Sequence, residues 1–369
     1  MNKALIGLIG VLLLLVACGQ QPGSSAKEPI KIGSILPLTG DGAAMGLSLQ
    51  RAIQLAEDEI NVAGGIHGRP LNVIFEDGQC TGKQGSNAAN KLVNIDQVPA
   101  IIGGMCSPET LAAAPIAEGK TVLLSPGSSN PTITQAGDYT FRDYPSDAFA
   151  GKFAAEYMYN QLEKRKVAIL SCLNDYCKAL GEVFKKRFTE LGGEVPIRQE
   201  YEMDARDLRS QLSQIKETNP EAIYFLGFTE GSISGLIQAK ELGINIPLLG
   251  GDSWDDPDIH KKAGKAAEGI QWTVTNTPAN EVFKNKINAK FGDVDITVAT
   301  AQAYDAAHIL ADILRKVGPD AAKIKDELYK VKDYQGVSGT IGFDENGDLL
   351  GAKYVVKTIK KGKPEEVYK

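Results

Sequence analysis

Apolar positions along this chain follow two periods. Residues 30–36 (IKIGSIL), 71–76, 100–103 and 121–125 are short, nearly continuous apolar runs, whereas between Gly46 and Asn61 the apolar residues Leu49, Ala52, Ile53, Ala56 and Ile60 return every three or four positions. Continuous runs of that length predict strands buried on both faces, and the longer period predicts amphipathic helices. The first helix ends in Asn61-Val62-Ala63-Gly64-Gly65-Ile66, and a second is expected over 83–95. Ser107-Pro108-Glu109 predicts a third, with Ser107 at the N-cap and Pro108 in the first helical position. The alternation resumes with strands at 166–171, 222–226 and 247–250 and helices at 178–191 and 231–242. Such succession implies parallel sheets with helices on both faces. Two runs of it, separated near Tyr144-Pro145-Ser146-Asp147, predict an α/β protein of two similar lobes.

The N-terminus has neither period. Asn2-Lys3 precedes an unbroken apolar or Gly run over 4–17, the make-up of an export signal. A transmembrane helix needs roughly 20 apolar residues, so the run is too short to span a bilayer. It stops at Leu15-Val16-Ala17-Cys18, which looks like the bacterial lipobox, where a peptidase cuts before a lipidated cysteine. Cys18 is then the expected first mature residue, held to the membrane by several acyl chains; an ordinary secretory signal with an incidental cysteine is the alternative. Residues 19–26 (GQQPGSSA) are rich in Gly, Ser and Gln and read as a flexible tether.

The rest, about 340 residues, suits two domains, and 43% hydrophobic with 23% charged residues is globular composition. The formal charge is −6, or −7 once Lys3 leaves with the signal, and an acidic surface argues against nucleic acid as a partner. Besides Cys18 there are four cysteines, Cys80, Cys106, Cys172 and Cys177, an even number suited to an oxidising compartment.

In open parallel sheets ligands bind outside the carboxyl ends of the strands, so the residues after each strand carry the chemistry. In the first lobe these are residues 37–46, Gly104-Met105-Cys106-Ser107 and 126–131; in the second, 172–177, Gly227-Phe228-Thr229-Glu230 and Gly251-Asp252-Ser253-Trp254. Ser107 at a helix start offers a hydroxyl and the helix dipole to an anion, although the residue type alone also suits a plain N-cap. Ser128-Ser129 lies in a turn whose N–H groups and hydroxyls can face an anion, or simply shape the turn. Asp252, taken alone, reads as a solvated loop carboxylate.

Pro37-Leu38-Thr39-Gly40, 61–68 (NVAGGIHG), 76–84 (EDGQCTGKQ), Cys106-Ser107, 125–131 (SPGSSNP) and 342–349 (GFDENGDL) together resemble the leucine/isoleucine/valine-binding protein family, the extracytoplasmic receptors of branched-chain-type amino-acid ABC transporters. The resemblance runs from about Pro29 to about Ile359. It implies two lobes, 29–146 with 277–346 and 147–276 with 347–369, following a signal (1–17) and a tether (18–28). Three hinge strands join them, with crossings near 144–147, 275–277 and Gly347 and a last strand over 353–358 in the second lobe. It further implies that Ser107 and Ser129 hold a ligand carboxylate, that the Gly127 carbonyl and Asp252 hold its ammonium, that Tyr176 and Phe228 cover it, and that Met45 forms a side wall. Ser128 is included with this turn. The family pairs cysteines at the positions of Cys80 and Cys106; a Cys172–Cys177 bridge across the loop carrying Tyr176 is expected from proximity alone. Where branched-chain binders carry an aromatic, this chain has Ala299.

Other classes fit less well. Gly40-Asp41-Gly42-Ala43-Ala44-Met45-Gly46 approaches a dinucleotide fingerprint, but its last glycine comes one residue late and the acidic pair Glu76-Asp77 lies too far on. There is no G-x-S-x-G elbow, and His67, His260 and His308 show no metal-ligand spacing. The expectation is a receptor without enzymatic activity, cofactor or metal: a monomeric, membrane-anchored extracytoplasmic lipoprotein that captures an α-amino acid with an aliphatic or small side chain and hands it to an ABC permease. The alternatives are a receptor for a small amide or carboxylate, or a sensor of the same fold.

Overall fold

The computed structural model describes residues 27–276 and 281–369; the signal, the lipobox with Cys18, most of the tether and Thr277 lie outside the described residues. The chain opens with β1 (Ile30–Leu36), which is buried over nearly its whole length and sits mid-sheet, as its continuous apolar run requires. Helix α1 (Ala43–Val62) follows, starting three residues before the predicted helix. Its Gly46 allows the close approach: a Cβ there would lie 2.0 Å from the Pro37 carbonyl oxygen, so the helix clamps the loop after β1. Then come β2 (Leu71–Asp77), α2 (Gly82–Asn90), β3 (Ala100–Gly103), α3 (Ser107–Ala117), β4 (Val122–Ser125) and β5 (Thr140–Arg142). They form a five-stranded, all-parallel sheet in the order β2-β1-β3-β4-β5.

The chain then crosses to a second sheet through α4 (Asp147–Glu156), β6 (Val167–Cys172), α5 (Asp175–Glu190), β7 (Arg198–Tyr201), α6 (Arg209–Glu217), β8 (Ala222–Leu226), α7 (Thr229–Glu241), β9 (Leu248–Gly250), α8 (Pro257–Ala263) and β10 (Gln271–Thr275). After β10 it returns: α9 (Glu281–Phe291) and α10 (Thr300–Val317) lie with α1, Ser48 bonding Thr300 and Tyr304 bonding Glu59. Beyond α11 (Ala321–Leu328) and the short hairpin β11 (Tyr334–Gly336) and β12 (Gly339–Ile341), a last crossing reaches β13 (Tyr354–Lys360) and β14 (Lys363–Tyr368). The second sheet runs β14-β13-β10-β9-β8-β6-β7. Its β6 to β10 are parallel, as expected, and β13 and β14 add two antiparallel strands at one edge. β13 arrives at the β10 edge from the first lobe, and β14 follows it through the tight turn at Lys361-Gly362, which demands no crossover helix.

Arg142, fully buried, ties the first crossing to the third. Its Nε and Nη2 donate to the two oxygens of Asp348 at 2.7 and 2.9 Å, while Nη1 donates to the Asn130 carbonyl at 2.9 Å. A bidentate pair of this kind fixes geometry as well as adding energy. It holds residues 126–131 against the crossing strands.

Candidate ligand site between the two sheets

The carboxyl ends of both sheets face each other, and between them lies a cavity of about 360 Å³, part of it open to solvent. Of the residues expected to bind, Met45, Ser107, Gly127, Ser129, Tyr176, Phe228 and Asp252 all line it. So does Ala299, a left-handed residue (φ +66°) at the start of α10.

Ser128 does not. Its hydroxyl lies 2.8 Å from the Gly104 carbonyl and 2.6 Å from the Thr110 hydroxyl, and its N–H donates to Ser125 Oγ at 3.0 Å. It stitches the ends of β3 and β4 together, so of the two adjacent serines only Ser129 faces the cavity. Ser129 Oγ donates to Asp147 Oδ2 at 2.9 Å, and the Asp147 N–H donates to the Ser129 carbonyl at 2.7 Å.

The start of α3 is also corrected. Cys106, extended at φ −87°, ψ 143°, is the N-cap, which moves Ser107 into the first helical turn. The reason is Glu109, whose carboxylate accepts the N–H groups of Cys106 and Cys80, each at 2.9 Å. Ser107 Oγ, freed from capping, accepts the Asn130 N–H at 3.2 Å and faces the cleft. Its own N–H is among those left without an intrahelical partner. Complete burial pushes Glu109 up to about 8. A Cys80–Cys106 disulfide, Cα atoms 5.1 Å apart, joins the loops after β2 and β3, strands that flank β1. Cys80, Cys106 and Glu109 gather tightly enough for a metal, but both sulfurs are committed to the disulfide.

On the opposite wall the second disulfide, Cys172–Cys177, straps the end of β6 to the first turn of α5, which begins at Asp175 and not at Lys178. Tyr176 therefore stands on a helix, with Asn174 accepting its N–H at 2.9 Å. Its ring leans on Phe228, centroids 5.7 Å apart. Asp252 accepts hydroxyl hydrogen bonds at both oxygens: from Tyr144 at 2.5 Å and from Tyr176 at 2.6 Å.

Asp147 is buried and Asp252 is half-buried. Desolvation raises Asp252, with the two tyrosine hydroxyls opposing it. Desolvation, then the charge of Asp252, drives Asp147 well above the ordinary carboxylate range. Asp147 Oδ1 has no hydrogen-bond partner, and no Lys, Arg or His lines the cavity among the described residues. The site is thus bipolar. The first turn of α3 with the Ser107 and Ser129 hydroxyls stands on one side and Asp252 with Tyr144 and Tyr176 on the other, while Asp147 sits behind Ser129, outside the cavity lining. Sequence reasoning missed Tyr144 and Asp147, because Tyr144-Pro145-Ser146-Asp147 read as the separator between lobes. Met105, Val298 and Ser253 also line the cavity.

The periplasmic binding protein family model matches residues 29–363. A leucine-, isoleucine-, valine-, threonine- and alanine-binding protein of Pseudomonas aeruginosa is 28% identical over 96% of this chain and 96% of its own length. A leucine-binding protein, LivK, from Thermotoga maritima superposes with a TM-score of 0.85 at 32% identity, covering 92% of this chain and 97% of that one. The branched-chain amino acid transporter substrate-binding protein LivJ from Streptococcus pneumoniae, in complex with isoleucine, gives 0.84 at 28% identity, covering 93% and 100%.

Proposed function

The chain belongs to the periplasmic binding protein family, and on that premise we propose that it is a membrane-anchored receptor capturing an α-amino acid for an ABC permease. The observation that carries the reading is the bipolar cleft. Ser107, Ser129 and the first turn of α3 suit a carboxylate, and Asp252 suits an ammonium. A zwitterion satisfies both ends at once. Met45, Met105, Val298 and Ala299 make the remaining wall apolar, which favours an aliphatic or small side chain. Phe228 adds ring surface without a polar handle. The isoleucine complex of the pneumococcal relative supports the same ligand class.

Capture proceeds by hinge closure, not covalent chemistry. The moving bodies in this reading are 29–146 with 277–346 and 147–276 with 347–369, and the ligand favours the closed form through its contacts with the second wall. The Leu15-Val16-Ala17-Cys18 motif supports a lipid anchor at Cys18, and the transporter role of the relatives supports delivery to a permease. A thermal-shift screen against amino acids, amides, short carboxylates and polyamines tests the ligand class. A ligand at about 1,000 times its Kd adds about 4 kcal/mol. Stabilisation by amino acids is the expected result, and stabilisation only by amine-free acids overturns it.

A further inference from the structure

The two lobes meet again beside the ligand cavity, where Asp41, in the loop after β1, faces the second sheet's loops across a wider cavity. Its side chain is only 4% exposed, although it sits on a surface loop. Neither carboxylate oxygen makes a well-formed hydrogen bond. The facing cation is Arg206, Nη2 at 3.6 Å, but this guanidinium is half exposed, lies 3.8 Å from Glu230, and spends Nη1 on the carbonyls of Asp204 and Ala205.

Every element packed against Asp41 contributes a charge or a dipole. The start of α7 brings the Glu230 N–H, which favours the carboxylate, and the Glu230 side chain, which opposes it. The loop after β7 brings Arg206 and the opposing Asp204, and the Tyr201 hydroxyl beneath is engaged with the Leu226 carbonyl. Asp175, Lys178 and Glu202 line the same cavity, and Lys262 is held 3.9 Å from Glu230. One partly solvated guanidinium thus stands against two carboxylates, and burial is the largest influence.

We propose that Asp41 and Arg206 form a proton-linked latch on lobe closure: closing carries the Asp41 carboxylate from water into the interface, and a proton taken up there removes the cost. The inference rests on the hinge-closure reading but not on the ligand's identity. In the closed form burial pushes Asp41 up to about 6, from an ordinary 3.8 when the loop faces water. A group raised on closing favours closure fully below the open-state value and stops doing so as pH rises through the closed-state value. Acidification from pH 7.5 to 5 therefore raises the closed-to-open ratio by up to about tenfold through this group. Arg206 softens the cost at neutral pH without cancelling it.

The test adds no ligand, so it stands apart from the amino-acid reading. Helices α3 and α5 start at the cleft, so dyes at Lys120→Cys and Glu190→Cys mark the far ends of the two lobes in mature chain carrying Cys18→Ser. Single-molecule energy transfer then counts closed molecules at pH 7.5 and 5. Asp41→Asn should raise the closed fraction at pH 7.5, and its advantage over the parent should shrink by up to about tenfold at pH 5. Taking this ratio cancels the other buried acids. Arg206→Gln should lower closure more at pH 7.5 than at pH 5. An Asp41→Asn advantage that is equal at both pH values, a loss of closure in that variant, or no closed molecules even in that variant overturns the latch.

Discussion

Asp252→Asn should separate ligand recognition from fold maintenance, because it is expected to move them in opposite directions. In the protein Asp252 is half-buried, accepts two tyrosine hydroxyls and stands near the carboxyl group of Asp147, the two repelling each other's ionised form. Replacing it with a neutral isostere relieves that repulsion and part of the desolvation cost, while the amide oxygen still accepts one hydroxyl and the amide nitrogen can donate to the other. The free protein should hold its melting temperature or gain a little. Binding should suffer, since an unmatched charge of a buried pair costs about 3–5 kcal/mol. The Tyr144 and Tyr176 hydroxyl oxygens remain in the cavity to accept from the ligand ammonium, so the net loss is about 2–3 kcal/mol, or roughly 30- to 150-fold in Kd. Calorimetry with the best amino acid from the screen, and thermal melts without it, give both numbers. Affinity within about threefold of the parent together with a melting temperature several degrees lower would make Asp252 a structural residue and refute the reasoning.

Three further outcomes are expected. Replacing Cys80 and Cys106 together with Ser should cost on the order of 3 kcal/mol for a bridge spanning 26 residues, read as a melting point several degrees lower; a shift under one degree would contradict it. Glu109, raised on folding from 4.5 to about 8, stabilises the fold fully below 4.5 and progressively less as pH rises through 8. The parent should therefore lose about 3 kcal/mol between pH 5 and 8 through this group, and urea melts should show that loss removed in Glu109→Gln; equal slopes in the two proteins would sink the assignment. Cys18→Ser should abolish labelling by a palmitate analogue in cells, and persisting label would rule out the lipid anchor at that residue.

The positions of the cleft loops were legible because strand ends are marked by apolar runs that stop at Gly, Pro or Ser, as at Leu36-Pro37 and Ser125-Pro126. Which side chain of a loop faces the cleft was less so. Ser128 and Ser129 are chemically alike, and the Gly104 carbonyl and Thr110, distant in sequence, turn one of them away. The one-residue shift at α3 has the same origin, since Glu109 caps two backbone segments at once. Edge strand β7 (RQEY) lacks an apolar run because only its last residue is fully buried, and β13 and β14 gave no hint of direction, which side-chain pattern does not encode. Asp147 was hidden by position: a carboxylate just after Pro145-Ser146 looks like a helix start, and it comes to stand behind the cavity wall only when the crossing brings it to Ser129.

The central claim is that the cleft is matched to a zwitterion. Its most direct test is calorimetry with three ligands of one carbon skeleton: the tightest amino acid from the screen, the acid lacking its amine, and the amine lacking its carboxylate. Removing the ammonium leaves Asp252 without its partner in the cleft, and removing the carboxylate leaves the first turn of α3 with Ser107 and Ser129 unmatched, so each truncation should weaken binding at least about 100-fold. An amine-free acid that binds as tightly as the amino acid would contradict the account.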